Sequence, residues 1–387
     1  LGQIDPTVLA NGNYFLREIT GDFSGNIDAQ GTTISVAGDL KTGRFTQEFT
    51  DLSIPLTGIP IEVNRVYDSL NSNRVGDFGF GWSLGGQDAR IQESVPVTDL
   101  NGFGLSFFSA TPFEVGSTVT LTNPDGDRVS FTFEPVVTST SLFGPIWSPR
   151  FVAEDGVYDT LEVDYTPLSI RSDGKAGLFL FGLPYNPSEY RLTTRDGTTY
   201  RYDQFDGLEN ITARNGNQLT YTDNGIFSST GESVRYVRDG QGRITEIVDL
   251  AGQSIEYDYD TNGDLVAVTD REGNNTKLVY EEPQLPHYLS NIVDPLGRGG
   301  TRNEYDDEGR MVRLIDADGN ALDIAFSGTN SQTLTDPLGN VISFIFDDRG
   351  NVVQQVDAEG GITLSTYDAD DNLTSITNSG GNVTTLT

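Results

Sequence analysis

A repeating turn pattern runs through the C-terminal part of this 387-residue chain and limits what the chain can fold into. An Asp or Asn is followed three residues later by a glycine, and successive copies are 21, 24, 22, 20, 21 and 21 residues apart. The copies start at Asp249, Asp270, Asp294, Asp316, Asp336, Asp357 and Asn378. A fixed period of this size predicts a repeat architecture, in which each unit packs against its neighbours.

Each unit contains two tight turns. Asp-x-x-Gly favours a type I turn, because the Asp side chain bonds backbone amides ahead of it and the glycine accepts a positive φ. The same chemistry recurs half a unit later, as in Asp260 to Gly263. Two turns in about 21 residues predict two short strands per unit. The glycines that open the units are Gly252, Gly273, Gly297, Gly319, Gly339 and Gly360.

The first strand of each unit alternates apolar and polar residues. Ile255, Tyr257 and Tyr259 share one face, whereas Glu256 and Asp258 share the other. A period of two predicts a half-buried strand. An aromatic residue closes this strand in six units, four times followed by Asp, and we expect these residues to be structural: Tyr259-Asp260, Tyr280, Tyr305-Asp306, Phe326, Phe346-Asp347 and Tyr367-Asp368.

The second strand has a different spacing. Its apolar residues lie three apart, as in the pairs Ile244/Ile247 and Leu265/Val268. Because three is not a multiple of two, the spacing predicts a bulge or a change of facing surface in each unit. A helix would also give this spacing, but pieces of about six residues between glycines are too short for a stable helix.

The period, the Tyr-Asp doublet and the two turns resemble the YD repeat, also called the RHS repeat, over six consecutive units. The resemblance implies an all-β fold, in which two-strand units form a spiralling antiparallel sheet that closes into a hollow shell. In RHS toxins of this family the shell encloses a C-terminal effector. The period alone would also allow a β-solenoid or a propeller, although a propeller blade needs about twice this length.

An upstream stretch carries a second, independent resemblance. Residues 54–69 are predicted to form two strands around a turn at Gly58, and Phe78-Gly79-Phe80-Gly81-Trp82 follows. Glycines between aromatic residues allow the backbone to pass close to the rings, and Trp82 is expected to be a packing anchor. Together these motifs resemble the segment that leads into the repeats of RHS proteins.

Three regions follow from these patterns. Residues 1–50 are predicted to be an N-terminal β-rich segment, and residues 51–190 an RHS lead-in and N-terminal β region. Residues 191–387 are the YD repeats, which break off within a unit. We therefore expect the chain to be part of a longer polypeptide, with further repeats and a C-terminal effector as its partners.

Charge and cysteine content exclude several kinds of function. A formal net charge of −33 disfavours nucleic acids and anionic membrane surfaces as partners. The absence of cysteine removes disulfides and thiolate chemistry. No apolar run is long enough to span a membrane. With the resemblance, the sequence favours a secreted or cell-surface protein.

Residues that could take part in catalysis or metal binding are scattered along the sequence. The single histidine, His287, lies among prolines and is predicted to be a surface-loop residue rather than a ligand or a catalytic base. Asp260, Asn262 and Asp264 match the first positions of a calcium loop but lack its glycine and its bidentate acid. Turn capping explains them first, with calcium as the alternative, so we expect no cofactor and no catalytic site.

Two functions remain open from the sequence. The first is a non-catalytic segment of a shell that encloses or presents a C-terminal effector. The second is a cell-surface adhesion module of the teneurin kind, which would contact a glycan or a protein. A glycan-active enzyme would need two carboxylates in a cleft, and no such pair is distinguished.

Overall fold

The computed structural model describes residues 5–21, 27–36, 41–86, 91–95, 111–122, 128–154, 156–328, 330–368 and 372–386. This part of the chain is all-β, apart from two short 3-10 helices, Pro6–Val8 and Ser69–Asn71. None of its helices is long and apolar enough to cross a membrane. The predicted all-β fold is therefore confirmed.

The N-terminal half forms several small antiparallel sheets. They are two hairpins, β1–β2 and β5–β6, a three-stranded sheet β3–β4–β7, and four-stranded sheets ordered β13–β10–β9–β8 and β11–β12–β15–β16. The strands are β1 (Gly12–Gly21), β2 (Ile27–Val36), β3 (Thr46–Ile54), β4 (Ile61–Asp68), β5 (Val75–Gly76), β6 (Gly79–Phe80), β7 (Trp82–Gly85), β8 (Ile91–Glu93), β9 (Thr118–Thr122), β10 (Arg128–Phe133), β11 (Val136–Ser141), β12 (Gly144–Ser148), β13 (Phe151–Ala153), β14 (Thr160–Glu162), β15 (Leu168–Ile170) and β16 (Ala176–Leu178).

The repeats form one antiparallel sheet of 21 strands. It starts with β14, continues with β17 and then follows chain order, so each strand pairs with the next one along the sequence. Its further strands are β17 (Glu189–Thr193), β18 (Thr199–Asp203), β19 (Gly207–Thr212), β20 (Gln218–Thr222), β21 (Gly225–Ser228), β22 (Ser233–Arg238), β23 (Ile244–Val248), β24 (Ser254–Tyr259), β25 (Leu265–Thr269), β26 (Asn275–Val279), β27 (Asn291–Val293), β28 (Gly299–Tyr305), β29 (Met311–Ile315), β30 (Ala321–Phe326), β31 (Ser331–Thr335), β32 (Val341–Phe346), β33 (Val352–Val356), β34 (Ile362–Tyr367), β35 (Leu373–Thr377) and β36 (Val383–Thr385).

The bulge predicted in the second strand is present, and its absence or duplication accounts for the 20- and 22-residue steps. Tyr259 pairs with Leu265 and Asp258 with Ala267, which leaves Val266 unpaired. Equivalent shifts occur in β19, β23, β29, β33 and β35. The 20-residue step after Asp316 has no shift between β30 and β31. The 22-residue step after Asp294 has two, one in β28 and one in β29.

The two faces of the long sheet differ. One face carries Ile255, Tyr257 and their buried cross-strand partners Ile247 and Val268, and we call it the covered face. The other, which we call the opposite face, carries exposed residues such as Glu256. This is the facing that the alternating pattern predicts.

We expect Phe346→Ala and Tyr259→Ala each to lower the free energy of unfolding by about 2–3 kcal/mol, whereas Glu256→Ala changes it by at most about 0.5 kcal/mol. Phe346 is buried and Tyr259 half-buried on the covered face, while Glu256 is exposed on the opposite face. Denaturant unfolding of the three variants measures this. Equal losses in all three would mean that the assigned facing is wrong.

Candidate functional site

Residues 41–86, here called the lead-in segment, lie against the covered face of the long sheet. Three backbone oxygens accept hydrogen bonds from the repeats, at widely spaced positions along the sheet. Thr57 O accepts from Asn217 Nδ2 at 2.6 Å, Asp77 O from Ile244 N at 2.8 Å, and Gly43 O from Met311 N at 2.7 Å. Buried side chains of this segment and of the repeats form one hydrophobic core.

A buried ion pair lies at the centre of this contact. Arg65 Nε and Nη2 donate to the two carboxylate oxygens of Asp51 at 2.9 and 3.0 Å. The two side chains are 2% and 7% exposed. The guanidinium carbon lies 4.6 and 4.7 Å from the ring centroids of Phe49 and Trp82. Tyr257, from the repeats, donates its hydroxyl to the same carboxylate at 2.7 Å, so this ion pair joins the segment to the sheet.

Trp82 makes a second polar connection from a fully buried position. Its indole N–H donates to the hydroxyl of Tyr280 at 2.8 Å, and that hydroxyl donates to Leu265 O at 3.0 Å. The ring of Tyr67 packs on Trp82 with centroids 5.2 Å apart. Trp82 is therefore tied to the aromatic residue that closes one repeat strand.

His287 does not occupy the exposed loop position that the sequence predicts. Its side chain is largely buried, its ring stacks on Phe80 at 3.7 Å between centroids, and its Nδ1 lies 2.7 Å from Asp264 Oδ1. Tyr67 donates its hydroxyl to His287 O at 3.0 Å. The insertion around His287 is thus packed onto the lead-in segment, which the sequence could not show because its neighbours are about 200 residues upstream.

This close packing explains why the Phe-Gly-x-Gly-Trp motif has glycine at its second and fourth positions. A Cβ added at Gly81 would lie 2.7 Å from a ring carbon of Tyr67, and one at Gly79 would lie 2.5 Å from Gly263 O. Both glycines also have positive φ, so the motif fits both the turn and the close approach of the repeats.

Four of the aromatic residues that close the repeat strands also use their hydroxyls, which sequence reasoning missed. Each donates to a backbone oxygen 15 or 16 residues earlier, in the preceding unit. In three units the acceptor directly precedes the unpaired bulge residue, as Leu265 precedes Val266. The pairs are Tyr259–Ile244, Tyr280–Leu265, Tyr305–Leu289 and Tyr367–Val352. The tyrosine hydroxyl therefore links neighbouring units at the bulge.

Two units end their first strand with phenylalanine, which has no hydroxyl to donate, so they differ from this rule. Phe346 follows the unit that has no bulge. Phe326 receives the guanidinium of Arg310 over its ring at 4.7 Å.

The repeat and lead-in patterns match known families. Residues 181–357 match the model described as Teneurin YD-shell, and residues 39–131 match a model described as a domain of unknown function, DUF6531. Residues 181–357 are therefore of the YD-shell type, and the predicted resemblance to YD/RHS-repeat proteins is confirmed. No curated protein matches the chain.

Solved structures similar to this chain include three from toxin complexes. The crystal structure of TcdB2-TccC3 is 10% identical with a TM-score of 0.31, over 96% of this chain and 23% of that chain. The Photorhabdus luminescens Tc holotoxin pore with a TccC3 mutation is 13% identical with a TM-score of 0.31, over 70% and 19%. TcdB2-TccC3-TEV is 15% identical with a TM-score of 0.31, over 70% and 19%. This chain spans about a fifth of the length of these chains.

The turn carboxylates of the YD repeats are occupied by their own turns. Asp270 Oδ1 accepts from the amides of Glu272 and Asn274, and its Oδ2 accepts from Asn274 Nδ2. The side-chain hydrogen bond from the fifth turn residue lowers the pKa of the carboxyl in four such turns. These are Asp270, Asp294, Asp316 and Asp336. This contribution to stability is present above the ordinary carboxyl pKa and is lost as the pH falls through the lowered value.

The glycines fix the same turns. Each unit-opening glycine has a φ between 78° and 86°, and its N–H donates to the carbonyl of the Asp three residues earlier at 2.9–3.1 Å: Gly252, Gly273, Gly297, Gly319, Gly339 and Gly360. The acids of the Tyr-Asp doublets close the alternate turns, with the Asp N–H donating to the carbonyl four residues later at 2.9–3.0 Å: Asp260, Asp306, Asp347 and Asp368.

We expect a chelator to leave the melting temperature of the protein nearly unchanged. Asp260 accepts from two turn amides and from Asn262 Nδ2, while Asp264 faces His287, so these acids do not converge on one point. Within the described ranges no group of three or more His, Asp or Glu could hold a metal ion. Thermal unfolding with EDTA and with added calcium measures this. A large drop restored by calcium would contradict it.

Glu93 is a buried carboxyl between the small sheets and the start of the long sheet. Its two oxygens accept from Tyr190 Oη at 2.6 Å and from Gln204 Nε2 at 2.7 Å. Burial raises its pKa to about 8, against a smaller lowering by the Tyr190 hydrogen bond. The group is therefore protonated in the folded protein at neutral pH.

We expect the free energy of unfolding to fall by about 2 kcal/mol between pH 6 and 8, because Glu93 ionises readily only in the unfolded chain. The sign follows from the raised pKa: the stabilisation is fully present below the ordinary carboxyl value and is lost as the pH rises through about 8. In Glu93→Gln this slope should disappear, and in the exposed control Glu134→Gln it should persist. An unchanged slope in Glu93→Gln would show that another group is responsible.

Proposed function

We propose that this chain is a non-catalytic wall segment of a larger secreted or cell-surface RHS protein, whose shell encloses or presents a C-terminal effector. The observation that carries the proposal is the single 21-stranded sheet in chain order, with the lead-in segment packed along the covered face. Such a sheet grows by adding units, which suits a wall of variable extent. The match to the Teneurin YD-shell model supports the same role.

Contacts between residues far apart in the sequence, rather than a catalytic site, account for the buried polar groups that join the lead-in segment to the repeats in this wall. Two buried polar contacts fix the segment to the sheet: Asp51 accepts from both Arg65 and Tyr257, and Trp82 donates to Tyr280. The interior of the contact is apolar and aromatic. This arrangement provides a rigid surface, and we propose rigidity as its contribution to the complete protein.

The test is protease protection in the full-length polypeptide. If the shell encloses an effector, sequence C-terminal to the repeats should resist a protease under native conditions and become sensitive when the shell is opened by denaturant. Digestion of that region at the rate of an unfolded peptide would contradict enclosure. Binding of the intact protein to glycan arrays or to cell surfaces, without such protection, would favour the adhesion function.

A further inference from the structure

A cavity of about 590 Å³ lies between the lead-in segment and β9, and no residue of the repeats is among its described lining. Strands β3, β4 and β7 contribute one wall, and β9 with the neighbouring Gln92 and Arg128 contributes another. Ligand pockets enclose about 300–1,000 Å³. The cavity is therefore large enough for a small organic molecule.

The charge of this cavity has the opposite sign to that of the whole chain. Four cations and two acids are among its described lining residues, which gives a net charge of +2 where the chain carries −33. These residues are Lys41, Arg44, Arg74 and Arg128 against Glu48 and Asp68. A concave site lined by one sign of charge concentrates ligands of the other sign, so the cavity favours an anion.

Two of the cations are oriented by neutral groups. Arg128 Nη2 donates to Gln92 Oε1 at 3.2 Å, and Lys41 Nζ donates to Pro6 O at 3.1 Å. Because both acceptors are neutral, these bonds fix the side chains without cancelling their charge. Such orientation before binding lowers the conformational entropy that a ligand has to overcome.

The other two cations, Arg44 and Arg74, differ in their partners. Arg44 donates to both carboxylate oxygens of Asp68 at 3.0 and 3.1 Å, so this acid compensates its charge. The side chain of Arg74 is exposed and has no hydrogen bond or ion pair within the described part of the chain. Arg74 is therefore the cation most available to a ligand.

Hydroxyl and amide groups make up much of the remaining lining, and such groups can bond the hydroxyls of a ligand. They belong to Thr46, Asn71, Ser83, Gln92, Thr120 and Thr122. Trp82 is the only aromatic residue among the described lining residues, and it is fully buried. The cavity thus offers no exposed ring on which a nucleobase could stack.

We propose that this cavity binds a sugar that carries a negative charge, in the form of a phosphate or a carboxylate. Arg74, Arg128 and Lys41 bind the anionic group, since charge-assisted hydrogen bonds are the stronger ones. The threonine, serine and amide side chains bind the sugar hydroxyls. Neither the wall role of the repeats nor an enclosed effector is needed for this binding.

Isothermal titration calorimetry of the 387-residue chain with four compounds tests the proposal. Glucose 6-phosphate and glucuronate are the charged sugars, and glucose and inorganic phosphate are the controls. We expect saturable binding of at least one charged sugar at concentrations up to about 10 mM, and much weaker binding of both controls. The two charged sugars distinguish a phosphate from a carboxylate as the preferred group.

Substitutions in the cavity provide the second part of the test. Arg74→Gln and Arg128→Gln should each raise the dissociation constant of the bound sugar roughly tenfold, because each removes a charged hydrogen-bond donor. Arg171→Gln is the matched control, since it removes the same charge from a side chain that is 70% exposed outside the cavity. Near-UV circular dichroism checks that each variant is folded.

Three results would overturn the proposal. The first is that neither charged sugar binds. The second is binding that Arg74→Gln and Arg128→Gln leave unchanged, or that Arg171→Gln weakens equally. The third is inorganic phosphate binding as tightly as glucose 6-phosphate, which would show that the cavity recognises a charge and not a sugar.

Discussion

Arg65→Met is expected to lower the free energy of unfolding by roughly 3–5 kcal/mol, because it leaves the carboxylate of Asp51 buried without its cation. The two side chains are almost completely buried, and their bidentate bonds are the only salt bridge of Asp51 within the described residues. Tyr257 still donates its hydroxyl to this carboxylate, but a neutral donor does not replace the lost positive charge. Denaturant unfolding at constant pH measures the loss.

The control is an exposed pair of the same chemistry. Arg150 and Glu134 are bonded at 2.9 Å, but their side chains are about half exposed. Solvent screening makes such pairs worth about 0–1 kcal/mol, so Arg150→Met should cost little. A triple variant, Arg65→Met with Asp51→Leu and Tyr257→Phe, should recover most of the lost stability, since replacing a whole buried polar group costs less than breaking it. No recovery would mean that the loss arises from packing rather than from the orphaned carboxylate.

Trp82→Ala is expected to cost about 3–5 kcal/mol, since it removes a fully buried indole and leaves a large cavity. The same change removes the N–H that bonds Tyr280, so the lead-in segment loses a polar contact to the repeats. Trp82→Phe should cost less, because the ring of Tyr67 keeps an aromatic neighbour. Hydrogen exchange of β24–β28 provides the structural measurement, and these strands should exchange faster in Trp82→Ala. Unchanged exchange there would show that the segment does not stabilise the repeats.

The faces and bulges of the repeats could be predicted from the sequence because they depend on neighbours in the chain. Ile255 and Tyr257 are buried, Glu256 is exposed, and the three-residue spacing of Leu265 and Val268 reflects the unpaired Val266 between them. Side-chain alternation and turn chemistry are local, so one unit contains the information.

The contact between the lead-in segment and the repeats could not be derived in this way. Tyr257 and Asp51 are 206 residues apart, and Tyr67 and His287 are 220 apart. No spacing in the sequence records such a pairing, so the sequence alone predicts an exposed His287. Glu93 was missed for the same reason, because its partners Tyr190 and Gln204 lie 97 and 111 residues further along the chain. A buried acid amid apolar residues becomes informative only when the fold shows what surrounds it.

The single unpaired residue at the bulge of a repeat affects how such chains can evolve by insertion and deletion. Elsewhere in a strand, gaining or losing one residue would exchange the two faces of everything that follows in that strand. Removal of Val353 would leave Phe346 opposite Val352 and Ile345 opposite Gln354, as they are now. The unit that starts at Asp316 already has this shorter form. The bulge is therefore a position where insertions and deletions are tolerated. Since bulges also increase local twist, each such event adjusts the curvature of the sheet without altering which residues it buries.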